Sequence, residues 1–182
     1  MTGFLVAFIA TLLLGAGARD QLLIAGLSAR QGQRPAVLAI ALVSAALAAL
    51  AAFWLASSFA PQLEAPVRRM LAILALAFAA LEMIVLRPGA TPNEPTNSLG
   101  AFGIVLLALQ IFDAARFLLF GIVVASMLPG AAGLGGALGG MAVVAIGWAA
   151  GQSLLDLPLR RLRRWLGAVL LLVVGGLLLF YR

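Results

Sequence analysis

Apolar residues dominate six stretches of this chain, at about 2–27, 36–57, 67–86, 99–127, 137–155 and 165–180. Within them the apolar positions follow neither the period of two of a half-buried strand nor a single helical stripe. Runs such as AVLLLVVGGLLLF are apolar on every face, the pattern of a helix surrounded by lipid or buried on all sides. Each stretch approaches or exceeds the roughly 20 residues that cross a bilayer core as a helix. The expected fold class is therefore all-α, a polytopic membrane protein with six transmembrane helices.

The connections between these stretches carry the helix-breaking residues. SARQGQRP (28–35) ends in Pro35, which suits the first turn of the next helix. SSFAPQLEAP (57–66) carries two prolines, PGAAGLGG (129–136) reads as a tight uncharged connection, and DLPLRRLRR (156–164) as a basic hinge. RPGATPNEPTNS (87–98) is the long polar stretch and divides the chain almost in half. The expected domains are a first three-helix repeat at 1–88, a polar linker at 89–98 and a second three-helix repeat at 99–182. An odd number of spans per half sets the halves in opposite orientations. This is the inverted-repeat plan of many transporters, with the working site near the midplane where the repeats meet. Shifting the chain by 95 residues lays Ala18 on Asp113, Gln21 on Arg116 and Gly26 on Gly121.

Composition narrows the chemistry. The 182 residues are 64% hydrophobic and 10% charged, more apolar than a soluble core of this size requires. Cysteine and histidine are absent, which excludes disulfides, thiolate or imidazole metal sites, iron–sulfur clusters and histidine-dependent hydrolysis. No nucleophile–base pair and no cofactor motif is present, so neither an enzyme nor a bound cofactor is expected. The net charge of +6 comes from arginines at the ends of apolar runs, which points to membrane topology and not to nucleic acid. Arg30, Arg34, Arg87, Arg160, Arg161, Arg163 and Arg164 fall in loops one, three and five, and Arg68, Arg69 and Arg182 on the other side. The first set is expected in the cytoplasm, with both termini outside, in a bacterial inner (plasma) membrane. The RRLRR cluster suits anionic headgroups of the surrounding lipid bilayer.

The first span of each half carries charge where lipid would not tolerate it: Arg19 and Asp20 in one, Asp113 and Arg116 in the other. Such residues face a partner or a wet cavity. The internal symmetry suggests Arg19 with Asp113 and Asp20 with Arg116. Asp113 and Arg116, three apart, can also pair along one helix face. Glu82, near the end of the third span, either snorkels to the interface or joins the pathway. Ser28, Ser44, Ser126 and Gln152 are expected to serve packing and backbone bonding, and the glycines between 130 and 140 close helix contact.

The span order, the linker position and two motif regions resemble the transmembrane protein 165 family (uncharacterised protein family 16) of calcium and manganese/proton exchangers. In that family each repeat opens with E-x-G-D-[KR]-[TS], commonly followed by glutamine. Here GAGARDQLLIAGLSAR keeps Gly17, Arg19, Gln21 and Leu22, with Gly15 and Ala18 at the acid positions and Asp20 at the hydroxyl position. In QIFDAARFLLFGIVVAS, Gln110 and Phe112 stand for the glutamate and glycine. Asp113 keeps the second acid, Ala114 and Ala115 replace the basic and hydroxyl residues, and Arg116 replaces the glutamine. The resemblance implies a secondary transporter of a divalent cation, manganese or calcium, coupled to protons. Asp113 would be the principal metal ligand, with Gln110 and Asp20 assisting. Arg19, Arg116, Gln21 and Glu82 complete the implied ion pathway. Asp20, Asp113, Arg19 and Arg116 sum to zero charge, whereas intact motifs carry an excess of acid. Two other expectations therefore stand beside it: a non-transporting membrane subunit or partner of an intact relative, and an exporter of a small zwitterion. A homo- or hetero-dimer is the assembly expected of such a chain.

Overall fold

The computed structural model describes residues 2–86, 98–126 and 128–180. Among these the chain is helical without strands. Helices α1 (Thr2–Gly15), α2 (Arg19–Gln31), α3 (Pro35–Phe59) and α4 (Ala65–Val85) form the first half, with a short 3₁₀ turn, Ala60–Gln62, after α3. Helices α5 (Leu99–Ile111), α6 (Ala114–Ala125), α7 (Pro129–Ala150), α8 (Gln152–Leu155) and α9 (Leu159–Phe180) form the second. Most of the linker expected at 89–98 lies outside the described residues. Its last member, Ser98, is the N-cap of α5, its Oγ accepting from the Ala101 N–H at 3.3 Å.

Two expected spans are broken. The first is split into α1 and α2 with a 61° bend, the fourth into α5 and α6 with a 54° bend. The reasons differ. At the first break Gly17 adopts φ 70°, a left-handed conformation that costs an ordinary residue about 1–2 kcal/mol. The Gly17 N–H is taken up by Gln21 Oε1 at 2.7 Å. At the second break no glycine intervenes. Asp113 leaves the helical conformation (φ −93°, ψ 150°) and caps α6, its Oδ2 accepting from the Ala115 N–H at 3.2 Å.

Three helices, α3 with its 3₁₀ extension, α7 and α9, are long and apolar enough to cross a membrane, or five if each bent pair counts as one span. The third expected span, α4, is not among them: its 21 residues include Arg68, Arg69 and Glu82. PGAAGLGG is the first two turns of α7 and not a loop. Likewise α9 begins at Leu159, so the basic run is mostly helix.

Helices α3 and α7 pack against each other. Each also packs against the bent pair of the other half: α3 on α5 and α6, α7 on α1 and α2. Helix α4 packs on α6 and α9. The buried positions along α3 are mainly alanine (Ala41, Ala45, Ala48, Ala49, Ala56) and those along α7 mainly glycine (Gly133, Gly135, Gly136, Gly139, Gly140, Gly147). Small residues let backbones approach where lipid tails supply no hydrophobic force between helices. A side chain at Gly139 would sit 2.7 Å from the Phe8 carbonyl oxygen of α1. Large apolar side chains such as Leu50, Trp54, Ile104, Leu172 and Leu179 face outward, a surface suited to hydrocarbon and not to water.

Candidate functional site at the two helix breaks

The breaks bring polar residues of both halves into the centre of the bundle. Asp20, Gln21, Glu82, Gln110, Asp113, Arg116 and Arg163 are all at most 6% exposed. Asp20 lies in the first turn of α2 and Asp113 caps α6. Both carboxylates therefore meet the positive end of a helix, a favourable setting for a buried anion. Asp113 is within electrostatic reach of Asp20, Arg163, Glu82 and Arg116.

One part of the cluster is an ion-pair network centred on Glu82. Arg163 Nη2 donates to Glu82 Oε2 at 2.7 Å and lies 3.8 Å from Asp113 Oδ1. Its Nη1 donates to the Leu14 carbonyl at 2.9 Å, a backbone acceptor freed by the end of α1. Arg19 Nη2 lies 3.6 Å from Glu82 Oε1 and donates to the Phe112 carbonyl, at the end of α5, at 3.4 Å. Each break thus has its loose carbonyl bonded by a guanidinium from elsewhere.

The other part is a hydrogen-bond chain. The Ser44 hydroxyl of α3 donates to Gln110 Oε1 at 2.6 Å, and Gln110 Nε2 donates to Asp20 Oδ2 at 3.1 Å. Asp20 Oδ1 accepts from the Gln21 N–H at 2.8 Å. Gln21 Nε2 donates to the Val143 carbonyl of α7 at 3.1 Å. Arg116 Nη2 donates to the Ala45 carbonyl at 3.3 Å, while Nε and Nη1 have no hydrogen-bond partner among the described residues.

All seven sequence-derived site residues, Arg19, Asp20, Gln21, Glu82, Gln110, Asp113 and Arg116, therefore fall in one region. Their pairing differs from expectation. Arg19 pairs with Glu82 and not with Asp113. Among the described residues Arg116 is in ion-pair contact with neither Asp20 nor Asp113. The reason is geometric: the breaks turn Arg19 towards α4, and Asp113 has become a helix cap. Glu82 is buried and does not snorkel. Arg163, read from sequence as one arginine of a cytoplasmic loop, is a member of the network. A basic run gives no sign of which arginine turns inward. Ser44 was read as a packing residue and is the anchor of Gln110.

No family model, curated protein or solved structure matches the chain.

The chemistry of the cluster is balanced. Asp20, Glu82 and Asp113 offset Arg19, Arg116 and Arg163. Both oxygens of Asp20 and the side-chain oxygen of Gln110 are engaged within the protein. Among the described residues no three acidic side chains gather as a metal-binding group.

Proposed function

We propose that the protein is a secondary transporter of six spans built from two inverted halves, with its working site between the two helix breaks. The carrying observation is that the first span of each half is bent at its middle and the bends bring Asp20 and Asp113 towards one centre. Discontinuous helices at corresponding places in two halves are the recurrent design of alternating-access transporters. Their half-helix ends face the cargo, and one half rocks against the other. The packing supports the same reading: α3 and α7 exchange the bent pairs of the opposite half, and α4 meets α9. The membrane orientation expected from the arginines goes with it, with Arg163 withdrawn from the loop count.

Manganese or calcium exchange, which the resemblance implies, has weaker support in the side chains. A divalent cation of this hardness takes six to eight oxygens, roughly, and the carboxylates here are already matched by guanidinium groups that do not lose their protons. A purely structural membrane subunit draws support from the Arg163–Glu82 pair.

The decisive experiment needs no cargo. The chain has no cysteine, so Ala18→Cys and Ala114→Cys, both fully buried beside the breaks, are the sole thiols of their variants. Membrane-impermeant thiol reagents are applied from either side of oriented vesicles. A transporter is expected to label from both sides as it alternates. Protection from both sides in folded protein would reject alternating access in favour of the structural subunit. Manganese and calcium flux under a pH gradient, in wild type and Asp113→Asn, tests the cation reading separately.

A further inference from the structure

The orphaned polar atoms of the buried cluster belong mostly to two residues one helical turn apart. Arg116 carries five N–H donors, yet its one hydrogen bond among the described residues is that to the Ala45 carbonyl. Nε and Nη1 have none, and the side chain is 4% exposed. Asp113 Oδ1 also lacks a hydrogen bond among the described residues, its neighbour being Arg163 at the outer limit of an ion pair, 3.8 Å. Buried charged groups left without partners are costly, and native structures rarely keep them without a purpose.

The surroundings of Arg116 differ from side to side. The guanidinium lies against Gly140 of α7, where an added Cβ would come within 2.7 Å of Nη1. The α7 backbone therefore packs directly against this face of the guanidinium, and the side open to a ligand is another one. Arg116 also lines an outward-open groove of about 400 Å³ between α3, α4 and α6, whose walls include Phe112, Phe117 and Phe120; Asp113, one turn earlier on the chain, is not part of that lining. That volume suits a small organic molecule.

We propose that Arg116 and Asp113 form a binding site for a small zwitterion with an apolar body. Its carboxylate accepts from Arg116 Nε or Nη1, its ammonium donates to Asp113 Oδ1, and its apolar part enters the phenylalanine-lined groove. A carboxylate is the natural partner of a guanidinium with several free donors. A simple anion would bring its charge towards Asp20 and Asp113, the two carboxylates that act on Arg116, with nothing to offset them. A simple cation would meet the guanidinium. A solute carrying both charges satisfies both orphaned groups and leaves the neutral balance of the cluster intact. This names the cargo class for the transporter reading and rests on it for biological meaning. The binding itself does not require transport.

The test is thermal unfolding of purified full-length protein in detergent, since a ligand that binds only the folded state raises its melting temperature. The probe is L-leucine at millimolar concentration. Isocaproate keeps the same body without the amine, isoamylamine keeps it without the carboxylate, and manganese chloride serves as the cation. The expected result is a rise of several degrees with leucine and none with the other three. Arg116→Gln is expected to abolish the rise and Arg116→Lys to reduce it. Asp113→Asn is expected to abolish it too, and because Asn also caps helices well, that variant keeps the helix start. No shift with leucine or any other apolar amino acid would overturn the proposal. So would a leucine shift that survives in Arg116→Gln, an equal shift with isocaproate (a plain anion site) or a shift with manganese alone. Failure here with two-sided thiol labelling intact would remove the zwitterion and keep the transporter. Binding with no labelling would do the reverse.

Discussion

Arg163 of the last helix reaches across the bundle to the Leu14 carbonyl at 2.9 Å, joining α9 to the point where α1 stops. The same guanidinium holds Glu82 at 2.7 Å. A broken helix leaves backbone carbonyls without intrahelical partners, and in a buried or lipid environment each needs another donor. The break in the first half is therefore sustained by a residue of the second, as the Phe112 carbonyl of the second is met by Arg19 of the first.

The ion pairs can be told apart by double-mutant cycles on unfolding in detergent. Glu82→Gln with Arg163→Gln is expected to show a coupling energy of about 0.5–3 kcal/mol, the range for contacting residues in one network. Asp20→Asn with Arg116→Gln, and Arg19→Gln with Asp113→Asn, are expected to couple more weakly than that pair. Equal coupling in all three cycles would mean that the charges act as a diffuse cluster and not through the contacts described.

Arg116 and Arg163 are buried alike but are expected to respond oppositely to removal of charge. Arg163→Met leaves Glu82 with the longer Arg19 pair alone, frees the Leu14 carbonyl and should destabilise by about 3–5 kcal/mol, the usual cost of breaking a buried pair. Arg116→Met removes a charge with two unpartnered nitrogens and loses one hydrogen bond, so the ligand-free protein should unfold at a higher temperature than wild type. The melting temperatures of the two variants check this directly. Destabilisation of similar size in both would assign Arg116 a structural role.

Glycine positions give an internal contrast. At Gly139 a side chain would collide with the backbone of α1 at the Phe8 carbonyl, and overpacking of this kind costs about 1–3 kcal/mol. At Gly175 of α9 nothing lies within 4 Å of the added carbon. Gly139→Val is expected to lower the melting temperature clearly, and Gly175→Val to leave it near wild type. Matching losses at both sites would indicate that α9 is covered by a partner helix.

Helical class, apolar character and most residues of the buried cluster were legible in the sequence, because burying a charged or strongly polar side chain in so apolar a chain is costly enough to mark its position. Arg19, Asp20, Glu82, Gln110, Asp113 and Arg116 stand out for that reason. Helix starts were legible at Pro35, less so at Pro129, where a glycine-rich run looked like a loop but serves as a contact surface. Tertiary structure alone decided where the first and fourth stretches break. A glycine at 17 permits a left-handed turn without requiring it, and an aspartate within an apolar run reads as a lone charge until Asp113 is seen capping α6. It also decided the partners. Three guanidinium groups and three carboxylates allow many neutral pairings, and the choice among them depends on distances set by the bends and by the approach of α9 to α4. Arg163 illustrates the limit: in sequence it is one of four similar arginines, and only the rotation of α9 about its axis turns it inward while Arg160, Arg161 and Arg164 stay outside.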